Sequence, residues 1–237
     1  MFTQRDYDEF VASLKELADE KYRRFNAINV PGAEPLLGVR VPSLRKAAKH
    51  LMNHDFEGYL ALPVDRYFEE RMVRAMVLAK AEMPLEKRLS YIRDFLPFID
   101  NWFVCDVLCG DFKSAKDHRE AVWDFVLPYF SWENEFSVRF AAVMLLWHFT
   151  TEEYTKKSLE RIASARHPGY YAKMGEAWAV AQFFTDQRDL TLPYLEARAF
   201  EPWVQNKAIQ KIRESLKTSP EDKAYLLNFK TPESRGM

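Results

Sequence analysis

Trp102 and Asp106 are the residues whose types and spacing most suggest chemistry. They lie four positions apart, so a helix places both on one face, one turn from each other. An aromatic ring attracts positive charge through its quadrupole, and a carboxylate attracts it by Coulomb forces, so the pair could hold a flat cationic ligand. Structural pairs of this kind outnumber binding sites. On spacing alone, the more common arrangement therefore places Trp102 in the core and leaves Asp106 solvated or bonded to a neighbouring helix.

Arg139 and Trp178 are two further candidates, each on a helical segment of its own. Arg139 interrupts an apolar stretch over residues 136–149. An arginine there either extends to the surface or faces a groove. Trp178 follows an aromatic and small-residue stretch that begins at Tyr170. Large aromatics in stacked helices are usually packing residues, so the helix pattern alone favours a core position for Trp178.

Other kinds of site find little support in the sequence. Cys105 and Cys109 could ligate a metal at their i, i+4 spacing, but buried small apolar residues are the better interpretation. No metal-binding spacing occurs among the five histidines, which are His50, His54, His118, His148 and His167. The sequence also has no serine-nucleophile elbow and no glycine-rich phosphate loop. We therefore predict neither a metal nor a cofactor.

Composition sets limits on location and partners. The 237 residues carry 34 Lys and Arg against 35 Asp and Glu, a net charge of −1 that gives no general attraction to nucleic acid. Two cysteines suit a reducing compartment, no apolar run approaches roughly 18 residues, and no apolar signal core opens the chain. We expect a cytoplasmic protein that does not enter a membrane.

Any polyanion site must then be a local cluster of cations. Two clusters contain mostly or only basic charge: Arg40, Arg45, Lys46 and Lys49, and further on Lys207, Lys211, Arg213 and Lys217. Such runs are more often solvated helix faces than nucleic-acid sites.

The elements that must position these residues are helices. Apolar residues recur at three- and four-residue steps from Phe10 to Tyr22, and no alternating stretch of strand length occurs. Residues 29–41 contain prolines and glycines and predict a loop. Helix starts are predicted by Thr3 with Asp6, by Asp55, by Asn134, and by a capping box of Thr150 and Glu153. The fold class is all-α, with about a dozen helices.

The helices also recur at a regular interval. Asp106, Arg139, Met174 and Lys207 occupy comparable places in their helices, 33, 35 and 33 residues apart. This is the length of a helix–turn–helix repeat, which predicts a single domain over residues 1–237, an α-α superhelix of HEAT-like repeats with one concave groove. Evenly spaced helices of an ordinary bundle would give the same interval.

An ordered set of motifs resembles a known family. Residues 36–42 (LLGVRVP), Trp102 with Asp106, residues 138–142 (VRFAA) and the helix of Trp178 follow one another at the intervals found in the AlkD-type DNA alkylation repair family of HEAT-like repeat glycosylases. The resemblance covers about residues 14–216. It implies excision of cationic N-alkylated purines, such as 3-methyladenine and 7-methylguanine, from duplex DNA in base excision repair.

The resemblance also assigns roles. Asp106 resembles the catalytic carboxylate, Trp102 and Trp178 the two tryptophans that frame the deoxyribose of the lesion, and Arg139 the phosphate-contacting arginine. We expect Arg40, Arg45 and Lys49 to line or flank the DNA-binding groove. The partner implied is duplex DNA carrying alkylated bases, bound by a monomer without a metal.

Two alternatives remain at this stage. The family includes members that keep the fold and bind DNA without evident base excision, so a non-catalytic protein for distorted or branched DNA is the second interpretation. A HEAT-like protein-interaction scaffold is the third.

Overall fold

Helix follows helix along the chain in the computed structural model, which describes residues 2–63 and 66–232. Over these residues it contains fourteen α-helices, short 3₁₀ turns and no strand. The predicted all-α, helical-repeat class is confirmed. None of the described helices has both the length and the apolar character needed to cross a bilayer.

The helices divide between two compact units, residues 1–113 and 114–237. Those of the first unit are α1 Gln4–Glu16, α2 Glu20–Asn29, α3 Val41–Met52, α4 Phe56–Ala61, α5 Phe68–Lys80, α6 Leu85–Phe95 and α7 Trp102–Asp111. Those of the second unit are α8 Arg119–Val126, α9 Glu135–His148, α10 Glu152–Ser164, α11 Tyr170–Asp186, α12 Arg188–Glu196, α13 Pro202–Glu214 and α14 Pro220–Tyr225.

Alternate helices pack together within each unit. In the first unit α3 packs on α5, and α5 packs on α7. The helix α4 contacts α3, and α6 contacts α5. In the second unit α9 packs on α11 and α11 on α13, and α10 packs on α12. The residues used to predict the repeat, Asp106, Arg139, Met174 and Lys207, lie near the fifth position of α7, α9, α11 and α13.

Side-chain caps fix the starts of several helices where the sequence predicts them. The Thr3 hydroxyl accepts a hydrogen bond from the Asp6 amide in a full capping box at α1. Asp55 accepts from the Gly58 amide at α4, and Asn134 accepts from the Ser137 amide at α9. Each cap satisfies a backbone N–H that has no partner within its helix.

Two local predictions are wrong. The apolar face expected from Phe10 to Tyr22 is split between α1 and α2, because Asp19 caps α2 through the Tyr22 amide and its own amide donates to the Gly38 carbonyl. At α10 the cap is Thr151 rather than Thr150, and its side chain makes no capping bond.

The loop before α3 is held by a buried carboxylate. Glu69 of α5 accepts hydrogen bonds from the amides of Leu37, Gly38 and Val39 at 2.9, 2.6 and 3.2 Å. Gly38 has φ +89°, and a Cβ there would lie 2.4 Å from the Asp19 carbonyl oxygen, so only glycine fits. Residues 37–39 of the predicted loop are therefore fixed by α5, and this fixes the chain directly before α3.

Candidate functional site

Trp102 is the first residue of α7, where a side-chain cap fixes the helix start and one hydrogen bond fixes the indole. The buried Asn101 side chain accepts from the amides of Phe103 and Val104 at 3.0 Å each, which fixes the start of the helix. The Trp102 indole N–H donates to the Asn29 carbonyl at 3.1 Å, at the end of α2. The indole also stacks on the Phe103 ring with the centroids 5.1 Å apart.

Asp106 follows one helical turn later, and both side chains are only half-buried. A fully buried core position for Trp102 is therefore excluded. Two α7 residues beside Asp106, Cys105 and Cys109, are fully buried, as small apolar residues would be. The helix thus turns its cysteines inward and leaves Trp102 and Asp106 together on a partly exposed face.

Arg40, Arg45 and Lys49, the three cations predicted to line or flank a DNA-binding groove, have different surroundings. Arg40 directly precedes α3, and the other two lie on it. Arg40 is exposed and pairs with Asp19 at 2.8 Å, with its guanidinium 4.9 Å from the centre of the Tyr22 ring. The bond from the Tyr22 amide and the pairing with Arg40 lower the pKa of the Asp19 carboxyl. Arg40 therefore already has an anionic partner in the protein.

Arg45 and Lys49 lie together on one surface cavity between α3 and α5. Arg45 pairs with Asp111 at 2.6 Å, and Lys80 contacts the same carboxylate oxygen at 3.2 Å. Lys49 is exposed. This cavity also includes Glu82, so its cations outnumber its carboxylate.

Arg139 lies on α9 and packs against Gly175 of α11. Its Nη1 donates to the Tyr171 carbonyl at 3.2 Å, and the residue is only 4% exposed. A Cβ on Gly175 of α11 would lie 3.3 Å from the Arg139 Cγ, so the glycine makes room for the arginine stem. The expected alternative of an arginine extending into bulk solvent is wrong.

Trp178 lies on α11, two turns beyond the Tyr171 carbonyl that Arg139 contacts. It is half-buried, and its ring meets Trp147 edge-on at 6.4 Å between centroids. Trp178 is therefore not fully buried, although the helix pattern alone favours a core position, and part of its indole is accessible.

Glu176 is a titratable group that the sequence analysis missed. It is 2% exposed, and its Oε1 has no hydrogen-bond partner. Burial raises its pKa to about 8, with Glu201 adding to the effect and Arg166 and Lys173 opposing it. The only signal in the sequence is an acid between small residues, Gly175 and Ala177, on a helix that is otherwise mostly apolar.

The described residues contain no group of three or more His, Cys, Asp or Glu side chains that could hold a metal ion.

One comparison with known proteins identifies a relationship. The model of a family described as DNA alkylation repair enzyme matches residues 10–212. A search of curated proteins found no match.

Proposed function

Because the chain belongs to the family of DNA alkylation repair enzymes, we propose that it is a DNA glycosylase. Its substrates are cationic N-alkylated purines, such as 3-methyladenine and 7-methylguanine, in duplex DNA. Membership implies DNA as the substrate; the type of reaction and the bases removed belong to the proposal. So do a monomeric state, a cytoplasmic location and a single domain over residues 1–237.

The observation that carries the proposal is the placement of Trp102 and Asp106. Both are half-buried on one face of α7, and the hydrogen bond to Asn29 fixes the indole. A fixed ring beside a carboxylate suits a positively charged group whose charge shifts during the reaction, since the ring does not need to reorganise.

The chemistry follows from the charge of the lesion. An N3- or N7-alkylated purine is already cationic, so it leaves as a neutral base when the bond to the sugar C1′ breaks, and no general acid is required. The positive charge moves to the sugar, which becomes oxocarbenium-like. The Asp106 carboxylate stabilises that charge, orients the water that adds to C1′ and accepts the proton that this water loses. Trp102 adds cation–π attraction of about 0.5–2 kcal/mol.

The second unit is proposed to contact DNA through Arg139 and Trp178. The bond to the Tyr171 carbonyl fixes the Arg139 guanidinium. Because the residue is only 4% exposed, a phosphate would contact the small accessible part of this fixed group, with little loss of side-chain freedom. The accessible part of Trp178 offers an apolar face for a deoxyribose. In the first unit, Arg45 and Lys49 are proposed to contact the phosphate backbone, with Arg40 beside them.

The experiment is incubation with duplex DNA that carries 7-methylguanine and 3-methyladenine, followed by chromatography of released bases. An unmethylated duplex of the same sequence is the control. Release of methylated purines from the first duplex alone is expected. Salt-sensitive DNA binding without release would instead identify the non-catalytic DNA-binding function, and absence of binding would favour a protein-interaction scaffold.

A further inference from the structure

A basic cavity of about 370 Å³ lies on α13, and none of the residues assigned a catalytic or DNA-binding role above lines it. Its polar lining consists of Asn206, Lys207, Gln210, Arg213 and Lys230, with Trp203 as its aromatic wall. Three of these side chains are cations, and no carboxylate lines the cavity within the described part of the chain. Lys207 and Arg213 belong to a basic run that is visible in the sequence, whereas the position of Trp203 beside them is visible only in the structure.

Trp203 holds two lysines at one site. The Lys173 ammonium of α11 lies 5.4 Å from the ring centre, and that of Lys207 lies 5.6 Å from it. Neither lysine forms an ion pair with a described residue. The indole offsets part of the repulsion between the two cations without neutralising either, because a ring quadrupole carries no net charge. Both ammonium groups therefore lie against the same indole ring, Lys207 as part of the cavity lining and Lys173 beside that lining.

The far wall of the cavity is also fixed. The side-chain amide of Asn206 donates to the Thr231 carbonyl, and the backbone N–H of Thr231 donates to the side-chain oxygen of Asn206, both at 2.9 Å. The Thr231 hydroxyl donates to the Pro202 carbonyl at 3.2 Å. These three bonds attach residues 230–231 to α13 and hold Lys230 at the cavity.

The buried acid Glu176 does not neutralise the positive charge of Lys173 at neutral pH. Glu176 interacts electrostatically with Lys173, but burial raises the pKa of Glu176 to about 8. Below that pH the side chain is mostly a neutral carboxylic acid, so it does not cancel the Lys173 ammonium.

The cavity continues the row of residues that begins at Arg139. Arg139 donates to the Tyr171 carbonyl, and the neighbouring Tyr170 ring contacts the Trp203 ring edge-on at 5.6 Å. The guanidinium, the two tyrosines and the lysine pair thus follow one another across the first two turns of α9, α11 and α13.

We infer that the α13 cavity binds phosphodiester groups of duplex DNA, on the strand that Arg139 contacts. The inference rests on the proposed function, and it extends the contact with DNA beyond the residues of the family resemblance. Lys173 and Lys207 supply the charge as point cations, Lys230 and Arg213 add to it, and Trp203 is a positioning residue. Such contacts bind DNA irrespective of sequence.

The test measures affinity for an unmethylated duplex over a range of salt concentrations. The variant K173A/K207A is compared with K156A/K157A, which removes two exposed lysines from α10 of the same unit. Each lost phosphate contact should lower the slope of log K against log salt by roughly 0.9. We expect a drop of about twice that for K173A/K207A and almost none for K156A/K157A.

Trp203 is tested separately, with melting temperature as a control for folding. W203A should lower the salt slope because the ammonium groups lose their common support, and W203F should restore most of it because a phenyl ring also attracts cations. A merely structural Trp203 would change the melting temperature and leave the salt slope alone.

The outcomes separate this inference from the proposed function. An unchanged slope in K173A/K207A, with wild-type protein that binds DNA and releases methylated bases, overturns the inference alone. Wild-type protein that binds DNA without releasing bases, together with a lowered slope in the double variant, supports the inference and overturns the glycosylase. Wild-type protein that does not bind duplex at low salt overturns both.

Discussion

Trp102 is oriented by a single hydrogen bond, from its indole N–H to the Asn29 carbonyl. The variant W102F keeps an aromatic face and loses this donor. We expect the free energy of unfolding to fall by roughly 0.5–1.5 kcal/mol, the typical net value of one hydrogen bond. We also expect base release to fall more than DNA affinity, since the ring is no longer fixed. Urea denaturation and base-release rates measure the two effects.

A matched control is W132F, which alters an exposed tryptophan outside α7. If W102F behaves like W132F in both measurements, the hydrogen bond to Asn29 has no role in orienting the ring.

Glu176 makes stability depend on pH. Its folded pKa is about 8 against an ordinary value of 4.5, so the folded protein retains a proton that the unfolded chain has released between those values. Stability therefore falls as pH rises through this range, by at most about 1.4 kcal/mol for each pH unit. The variant E176Q should lose this dependence and be more stable than wild type near pH 8.

Melting temperatures from pH 5 to pH 9 test this prediction, with the exposed E133Q as the control. A wild-type curve parallel to that of E176Q would show that Glu176 titrates normally.

The residue scale shows what sequence spacing can and cannot predict. The four-residue interval of Trp102 and Asp106 correctly predicts a shared face, because helix geometry is local. The bond between Trp102 and Asn29 joins residues 73 positions apart, and no local pattern encodes it. The raised pKa of Glu176 likewise depends on which helices cover it.

At the scale of elements, one acid on α5 organises the loop before α3. Glu69 accepts three amide hydrogen bonds, which its neutral analogue cannot reproduce because the NH₂ group of glutamine would face an amide N–H. We expect E69Q to lower the free energy of unfolding by roughly 1.5–3 kcal/mol, the value of a hydrogen bond to a charged group. Chemical denaturation measures it, and the exposed E82Q is the control. A loss below about 0.5 kcal/mol, the usual range for surface substitutions, would contradict this role for Glu69.

Element positions were more predictable than element boundaries. The caps at Thr3, Asp55 and Asn134 are predictable because a cap and its helix are adjacent in sequence. The break between α1 and α2 is not predictable from local pattern because it depends on Asp19 contacting Gly38 in a distant loop. Periodicity alone does not distinguish one helix from two that share an apolar face.

At the scale of the whole molecule, a net charge of −1 must be reconciled with a polyanionic partner. Local cations such as Lys49 would have to supply the attraction. We expect K49A to lower the slope of log K against log salt by roughly 0.9. The control K46A removes a lysine from the same helix that does not line the α3–α5 cavity, and it should change the slope less. Equal slopes for K49A and wild type would remove Lys49 from the interface.

The family relationship extends over residues 10–212, whereas the proposed reaction depends on one carboxylate. The most direct measurement is therefore release of 7-methylguanine from methylated duplex by wild-type protein and by D106N, with DNA affinity and melting temperature measured on the same samples. D106N retains the shape of the side chain and removes its charge. We predict that release falls by about 10²-fold or more, the scale for loss of one electrostatic stabiliser, while affinity and melting temperature stay near the wild-type values. A folded, DNA-binding D106N protein with undiminished release would contradict the assignment of Asp106 as the catalytic carboxylate.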